Sequence, residues 1–310
     1  MDDRGVMRIP LFPLRSVLCP GVALPLHVFE QRYRLMVDRC LADGEPFGVV
    51  LLREGPEVGP PKGRIADVGT TAAIRQAGRY PDGRLDILTV GQQRFRLESV
   101  DNVSEPYLIG RVRLLSEPTG AEREARRQAE RVGRRFLEYL ELLQPEGEED
   151  GPEIEIEFEL EVEAGDTSDT EDPDEVGQGP DEGRRVGDET PEPLVRADGS
   201  LPLDGADPLI AQMDAADLSP AQRRELLMAA ARRLTATDDP TALSYVLTAL
   251  IQVDLGSRQR LLEAPDTVER LRGLDRLLAR EGWFLRQGLR PIIIDTGRVG
   301  PRGLGRTVEG

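Results

Sequence analysis

Residues 8–41, RIPLFPLRSVLCPGVALPLHVFEQRYRLMVDRCL, constrain the fold more than any other stretch of the chain. The run Pro10-Leu11-Phe12-Pro13-Leu14 is too proline-broken for a helix and too apolar for a free loop, so it reads as extended chain that must be covered. Pro20-Gly21 is a turn signal, and Leu24-Pro25-Leu26 leads into an amphipathic helix. Phe29, Tyr33, Met36, Val37, Cys40 and Leu41 share one face of that helix, with Glu30, Gln31, Arg34 and Asp38 on the other. Gly44 can adopt the left-handed conformation that ends it.

The next segments read as strands. Phe47 to Arg53 is a short apolar run bounded by turn residues, and residues 54–64 hold enough Pro and Gly for a surface loop. Thr70 to Tyr80 and Leu85 to Val90 flank Pro81-Asp82-Gly83, a turn that joins antiparallel strands. Phe95 to Ser99 and Tyr107 to Leu115 alternate like half-buried strands. Short strands around one helix, without a βαβ rhythm, predict a small antiparallel barrel.

Ala121 to Gln144 then changes period. Ala125, Ala129, Val132, Phe136, Tyr139, Leu140 and Leu143 form an apolar stripe, and Arg123, Arg127, Arg131, Arg134 and Arg135 a basic one. The basic stripe reads as a solvated face with i, i+4 pairs such as Glu130 with Arg134, in preference to a nucleic-acid surface. Further helices start at Ser219-Pro220, at Asp239-Pro240, at Ser257 and near Asp266. Their expected inward residues are Leu226, Leu227, Ala230 and Leu234, then Leu243, Val246, Leu247, Leu250 and Ile251, then Leu261 and Leu262, and finally Val268, Leu271, Leu274, Leu277 and Leu278. Short loops between them imply an antiparallel bundle.

These residues carry a family resemblance. The order PLFPL, PG, LPLHVFEQRYRLMV resembles the opening of the LON domain, the substrate-recognition domain of Lon-type ATP-dependent proteases. Pro46 to Leu51, Val68-Gly69-Thr70, Asp82-Gly83-Arg84, Gly91 to Arg96, the strand to Leu115 and the helical run 239–278 continue it in order. Cys19 departs from the pattern, where an aromatic is expected before the turn. The resemblance implies a PUA-like pseudo-barrel and binding of unfolded polypeptides or a partner protein, with an ATP-dependent protease as the expected destination. The expected architecture is α+β: a pseudo-barrel over 1–120, a connecting helix over 121–144, an acidic disordered insertion over 145–205, a helical bundle over 206–288 and a flexible tail over 289–310.

Charge sharpens that division. The net charge of −17 comes from one segment: residues 146–198 hold 22 acidic and 3 basic residues, leaving 35 against 37 elsewhere. A nearly neutral body argues against nucleic acid as the partner, although PUA-like barrels also bind RNA and that remains the alternative. Within the insertion, Ile154, Ile156, Phe158, Leu160 and Val162 alternate with glutamates from Glu153 to Glu163, the pattern of a strand that could dock on a sheet edge.

Several chemistries are excluded or unsupported. Lys62 is the single lysine, and Gly63 follows it, so a phosphate-binding loop, which needs Lys then Ser or Thr, is missing, as is a lysine placed for a Ser-Lys dyad. His27 is the single histidine, expected to hydrogen-bond near its helix start, and two cysteines make neither a metal knuckle nor a disulfide scaffold. No catalytic residue, metal or cofactor is expected. Cys19 and Cys40 read as buried residues of a reducing cytoplasm, and no apolar run or leader pattern points to a membrane. A polypeptide receptor needs apolar surface or an open sheet edge, and Leu11, Phe12, Leu14, Leu24, Leu26 and Phe29 are the candidate binding residues.

Overall fold

The computed structural model describes residues 6–53, 65–143, 192–193 and 220–289. Among these, seven strands form one sheet: β1 (Val6–Leu14), β2 (Ala23–Val28), β3 (Phe47–Leu51), β4 (Val68–Arg79), β5 (Leu85–Asp101), β6 (Leu108–Leu114) and the two-residue β7 (Glu192–Pro193). Their order is β2-β5-β6-β1-β3-β4-β7, and a further β4–β5 pairing closes five of them into a barrel, with β2 laid beside β5. Helix α1 (Gln31–Asp43) packs Tyr33, Met36, Val37 and Cys40 into the barrel's main cluster with Phe12, Leu24, Leu26 and Phe47. Its C-cap Gly44 is left-handed, with φ 69°.

The α+β division stands, with one pairing of the other kind. β1 runs parallel to β3, with Leu11 opposite Gly48 and Leu14 opposite Leu51. A parallel pair needs a crossover connection, and β2 with α1 supplies it. The expected strands 85–90 and 95–99 are one 17-residue strand, β5, which pairs with β2 in its first half, with β6 in its second, and with β4 from Leu85 to Arg96. Gly91 permits this because its backbone lies against Cys19: a Cβ there would sit 2.3 Å from the Cys19 carbonyl oxygen.

The remaining helices are α2 (Glu122–Leu143), α3 (Pro220–Thr235), α4 (Pro240–Leu250), α5 (Leu255–Leu262) and α6 (Thr267–Arg286). The expected connector α2 is a wall of the bundle, its Val132, Phe136 and Tyr139 packed with Leu243, Leu247, Leu271 and Leu274. Two arginines of its basic stripe hold α6: Arg131 and Arg135 reach Asp275 at 3.2 and 2.6 Å.

Two helix details differ from the sequence reading. On α3 the buried residues are Met228 and Ala231, while Leu226 is exposed, because the alanine-rich repeat fits two adjacent faces equally well. On α5 the cap is Asp254, accepting from the Ser257 N–H at 2.8 Å, and Ser257 sits one turn in with its hydroxyl on the same carboxylate. Asp239 and Asp266 cap α4 and α6 as their positions predict.

Barrel and bundle meet over a buried polar knot. Arg94 of β5, 2% exposed, donates Nε–H to Glu117 at 2.8 Å and reaches its second carboxylate oxygen at 3.0 Å. Its other donors reach the carbonyls of Leu262 at 2.6 Å, Ala264 at 2.7 Å and Ser116 at 3.5 Å. Tyr245 of α4 also donates to Glu117. Arg270 of α6, fully buried, lies 3.8 Å over the Tyr245 ring and 3.7 Å from Glu117. Around the knot, Val17, Cys19, Leu51, Ala66 and Val68 of the barrel side pack on Tyr245 and Leu262 of the helices. The aromatic expected at position 19 is thus matched by a ring from α4.

Among the described residues Glu117 is the carboxylate placed against both buried arginines. Removing one partner of a buried pair costs about 3–5 kcal/mol, and partial exposure of Glu117 sets the expectation at the lower end. Glu117→Gln is expected to lower unfolding stability by about 3 kcal/mol, read as a reduced urea midpoint with an unchanged denaturant slope.

Candidate functional site

The ends of β1 and β2 and the start of α1 surround an open cleft of about 380 Å³, solvent-facing mouth included. Phe12, Pro13 and Leu14 form its floor, Val28, Phe29, Glu30 and Tyr33 one wall, and His27 and Leu52 the rest of the lining. The Phe12 and Tyr33 rings stack with centroids 4.2 Å apart, and the Arg32 guanidinium caps Tyr33 at 4.5 Å while donating to Glu30 at 2.8 Å. The result is a shallow apolar depression with a charged lip.

Of the six side chains expected to bind polypeptide, Phe12, Leu14 and Phe29 come together here. Phe29 precedes α1 instead of lying on it, and is the half-buried member that solvent reaches. Leu11, Leu24 and Leu26 are core, and so are Phe12 and Leu14, whose 6% and 1% exposure leaves Phe29 as the accessible member of the three. Leu11 packs with Ile9, Val50, Phe95 and Val112, on the opposite face of β1 from Phe12 and Leu14, so this strand is buried on both sides. Leu24 and Leu26 take the inward positions of β2, between exposed Ala23, Pro25 and His27. Tyr33 and Leu52 were missed as site residues, because nothing in their spacing shows that three segments converge. The candidate docking residues Ile154, Ile156, Phe158, Leu160 and Val162 lie outside the described residues.

His27 belongs to β2, and its partner is on β5. Its Nδ1 lies 2.6 Å from Asp86 Oδ1, the Tyr80 hydroxyl donates to Asp86 Oδ2 at 2.5 Å, and Arg84 stands 3.5 Å from Nε2. Both ring nitrogens face partners, and the cluster holds the rim of the cleft. Among the described residues no group of three His, Cys, Asp or Glu could hold a metal. The thiols are also withdrawn from chemistry: Cys19 and Cys40 are free and buried, and burial pushes each up to about 12. Among the described residues no helix is long and apolar enough to cross a membrane.

Residues 8–280 match the family model described as the ATP-dependent protease La (LON) substrate-binding domain. The chain belongs to this family. Curated relatives include the Lon protease of Porphyromonas gingivalis, 32% identical over 117 residues, and Lon protease 2 of Myxococcus xanthus, 33% identical over 116. Each match covers 37% of this chain and 14% of the relative, so the LON chain spans a small part of those proteins' length. Two solved structures align with 88% of this chain and 98% of their own: a Lon N-terminal domain protein from Xanthomonas campestris, 22% identical with TM-score 0.42, and the N-terminal domain of a Mycobacterium avium complex Lon protease, 16% identical with TM-score 0.44.

The hydrogen bond to Asp86 holds the half-buried Tyr80 phenol in its neutral form and raises its pKa, with a smaller contribution from burial. A raised folded-state value means that this contribution to stability is complete below the ordinary tyrosine range and lost as pH rises through the folded value. Asp86→Asn is expected to bring the Tyr80 transition down toward the ordinary value. Ultraviolet titration of this variant, with Tyr80→Phe as the reference for the remaining tyrosines, reads the shift.

Proposed function

We infer that this LON chain is a non-catalytic receptor for polypeptides, taking an apolar side chain of an extended or unfolded segment into the cleft formed by Phe12, Leu14, Phe29 and Tyr33. Membership of a substrate-binding family over residues 8–280 carries this reading. The cleft's apolar floor supports binding. Delivery of the bound polypeptide to an ATP-dependent protease, as an adaptor of cytoplasmic protein quality control, belongs to the same proposal.

Of the α2 arginine stripe, Arg131 and Arg135 engage Asp275, while Arg123, Arg127 and Arg134 are exposed and make RNA the second class to test. Fluorescence anisotropy with labelled β-casein and with a labelled single-stranded RNA tests the two partner classes on the full chain. Casein binding that tolerates moderate salt is expected, because apolar contacts release few counterions. Phe29→Asp, placed at the half-buried lip, is expected to weaken casein binding roughly tenfold, the loss typical of an aromatic anchor, without moving the urea midpoint. Casein affinity untouched by Phe29→Asp would remove the cleft from the proposal. RNA binding that collapses with salt, in the absence of casein binding, would replace the receptor reading altogether.

A further inference from the structure

Strand β4 outruns its neighbour. β3 pairs with it only at Thr70, Thr71 and Ala72, whereas β4 continues to Arg79 with β5 along its other side. Beyond Ala72 its outer edge is therefore open to any strand that can reach it, and among the described residues one does: Glu192–Pro193, opposite Arg79 and Gly78. This pair of residues comes from the acidic stretch between α2 and α3, far in sequence from the barrel.

The register tells which backbone groups meet. The Tyr80 N–H donates to the Arg84 carbonyl at 2.9 Å, which makes Tyr80 and Arg84 a hydrogen-bonded pair. Hydrogen-bonded and non-bonded positions alternate in an antiparallel ladder, so Gly78 faces Asp86 across bonds to β5, while the N–H and C=O of Arg79 point outward. Their partner is Glu192. By the same alternation the proline nitrogen of Pro193 points away from β4. The sequence Pro191-Glu192-Pro193 thus offers one residue that can pair with the sheet, flanked by two that have no N–H to pass the ladder on. Such a segment covers an edge without creating another, the device by which edge strands are protected from adventitious pairing.

We propose that the outer edge of β4 is a strand-addition site for extended polypeptide, and that the chain's own Glu192–Pro193 segment occupies it as an internal competitor. The ligand class follows from the geometry: recognition through outward backbone groups takes any unfolded segment able to extend, with little regard to sequence. A two-residue ladder is a cover that an incoming strand of greater length can displace. The competition rests on the polypeptide-receptor reading above, whereas the covering of the edge does not.

Two measurements on the full chain separate these. The first is labelled β-casein binding by the native chain, by a variant with residues 188–197 replaced by a Gly-Ser linker of equal length, and by Glu192→Pro, which removes the single donor facing β4. A site masked part of the time shows an apparent affinity reduced by its open fraction, so the linker variant is expected to bind roughly three- to tenfold more tightly, with Glu192→Pro between the two. A synthetic peptide of residues 188–197 added in trans is expected to reverse the gain, and the same peptide N-methylated at Glu192 is not. The second is hydrogen exchange at the Arg79 amide, expected to be faster in the linker variant.

Equal casein affinity in all three chains overturns the competition, and equal Arg79 exchange overturns the covering. Loss of casein binding from every chain refutes the receptor reading, and the competition with it, while the exchange experiment still decides whether the segment sits on the edge.

Discussion

At the junction of the two halves of this protein sits one arginine whose geometry leaves little freedom. Five N–H donors of Arg94 face five acceptors, two on Glu117, one on Ser116 and two at the end of α5. The acceptors come from both sides of the junction, so neither barrel nor bundle satisfies this side chain alone. A lysine could not substitute, since its three donors lack the planar fork that grips a carboxylate on one side while reaching carbonyls on the other. Arg270, stacked on Tyr245 beside the same carboxylate, extends the constraint to α6. Burial raises the Tyr245 phenol above the ordinary range, with the Glu117 hydrogen bond adding to it and the nearby arginines opposing it, so the hydroxyl stays a donor at neutral pH.

That junction was the part least visible in the sequence. Along β5, Arg94 and Arg96 fall out of phase with Phe95 and Leu97, which assigns both arginines to the outside of a barrel. The assignment holds for Arg96, but the helices cover the barrel wall at Arg94, so its outside is another interior. Alternation within one strand reports which face a residue takes and is blind to a second layer arriving from residues 245–270. Helices α4 and α6 were legible because each carries its own cap and stripe: Asp239 and Asp266 mark their starts without ambiguity. Where the local pattern was degenerate, as in the alanines of α3, the face chosen was set by the neighbour and not by the helix.

The candidate site shows the same limit. Large apolar residues between Leu11 and Phe29 were identifiable as a group, but a list of apolar residues does not separate those that build a depression from those that lie beneath it. The separation comes from β1 being sandwiched, with Leu11 turned to one layer and Phe12 and Leu14 to the other. His27 likewise depends on a partner 59 positions away, Asp86, that no local spacing announces. Composition is informative only for particular chemistries: a single lysine followed by Gly63 and a single histidine leave no phosphate-binding lysine motif and no histidine pair.

The order of elements along the chain has a consequence for biosynthesis. Helix α2 precedes the long acidic stretch, and its main packing partner, α6, begins at Thr267. During vectorial synthesis the barrel strands and α2 leave the ribosome together, and the stripe of Val132, Phe136 and Tyr139 then waits while everything up to α6 is made. At about 5–20 residues per second that wait is on the order of ten seconds, long compared with the collapse of the barrel. For that interval the nascent chain displays an uncovered apolar helix.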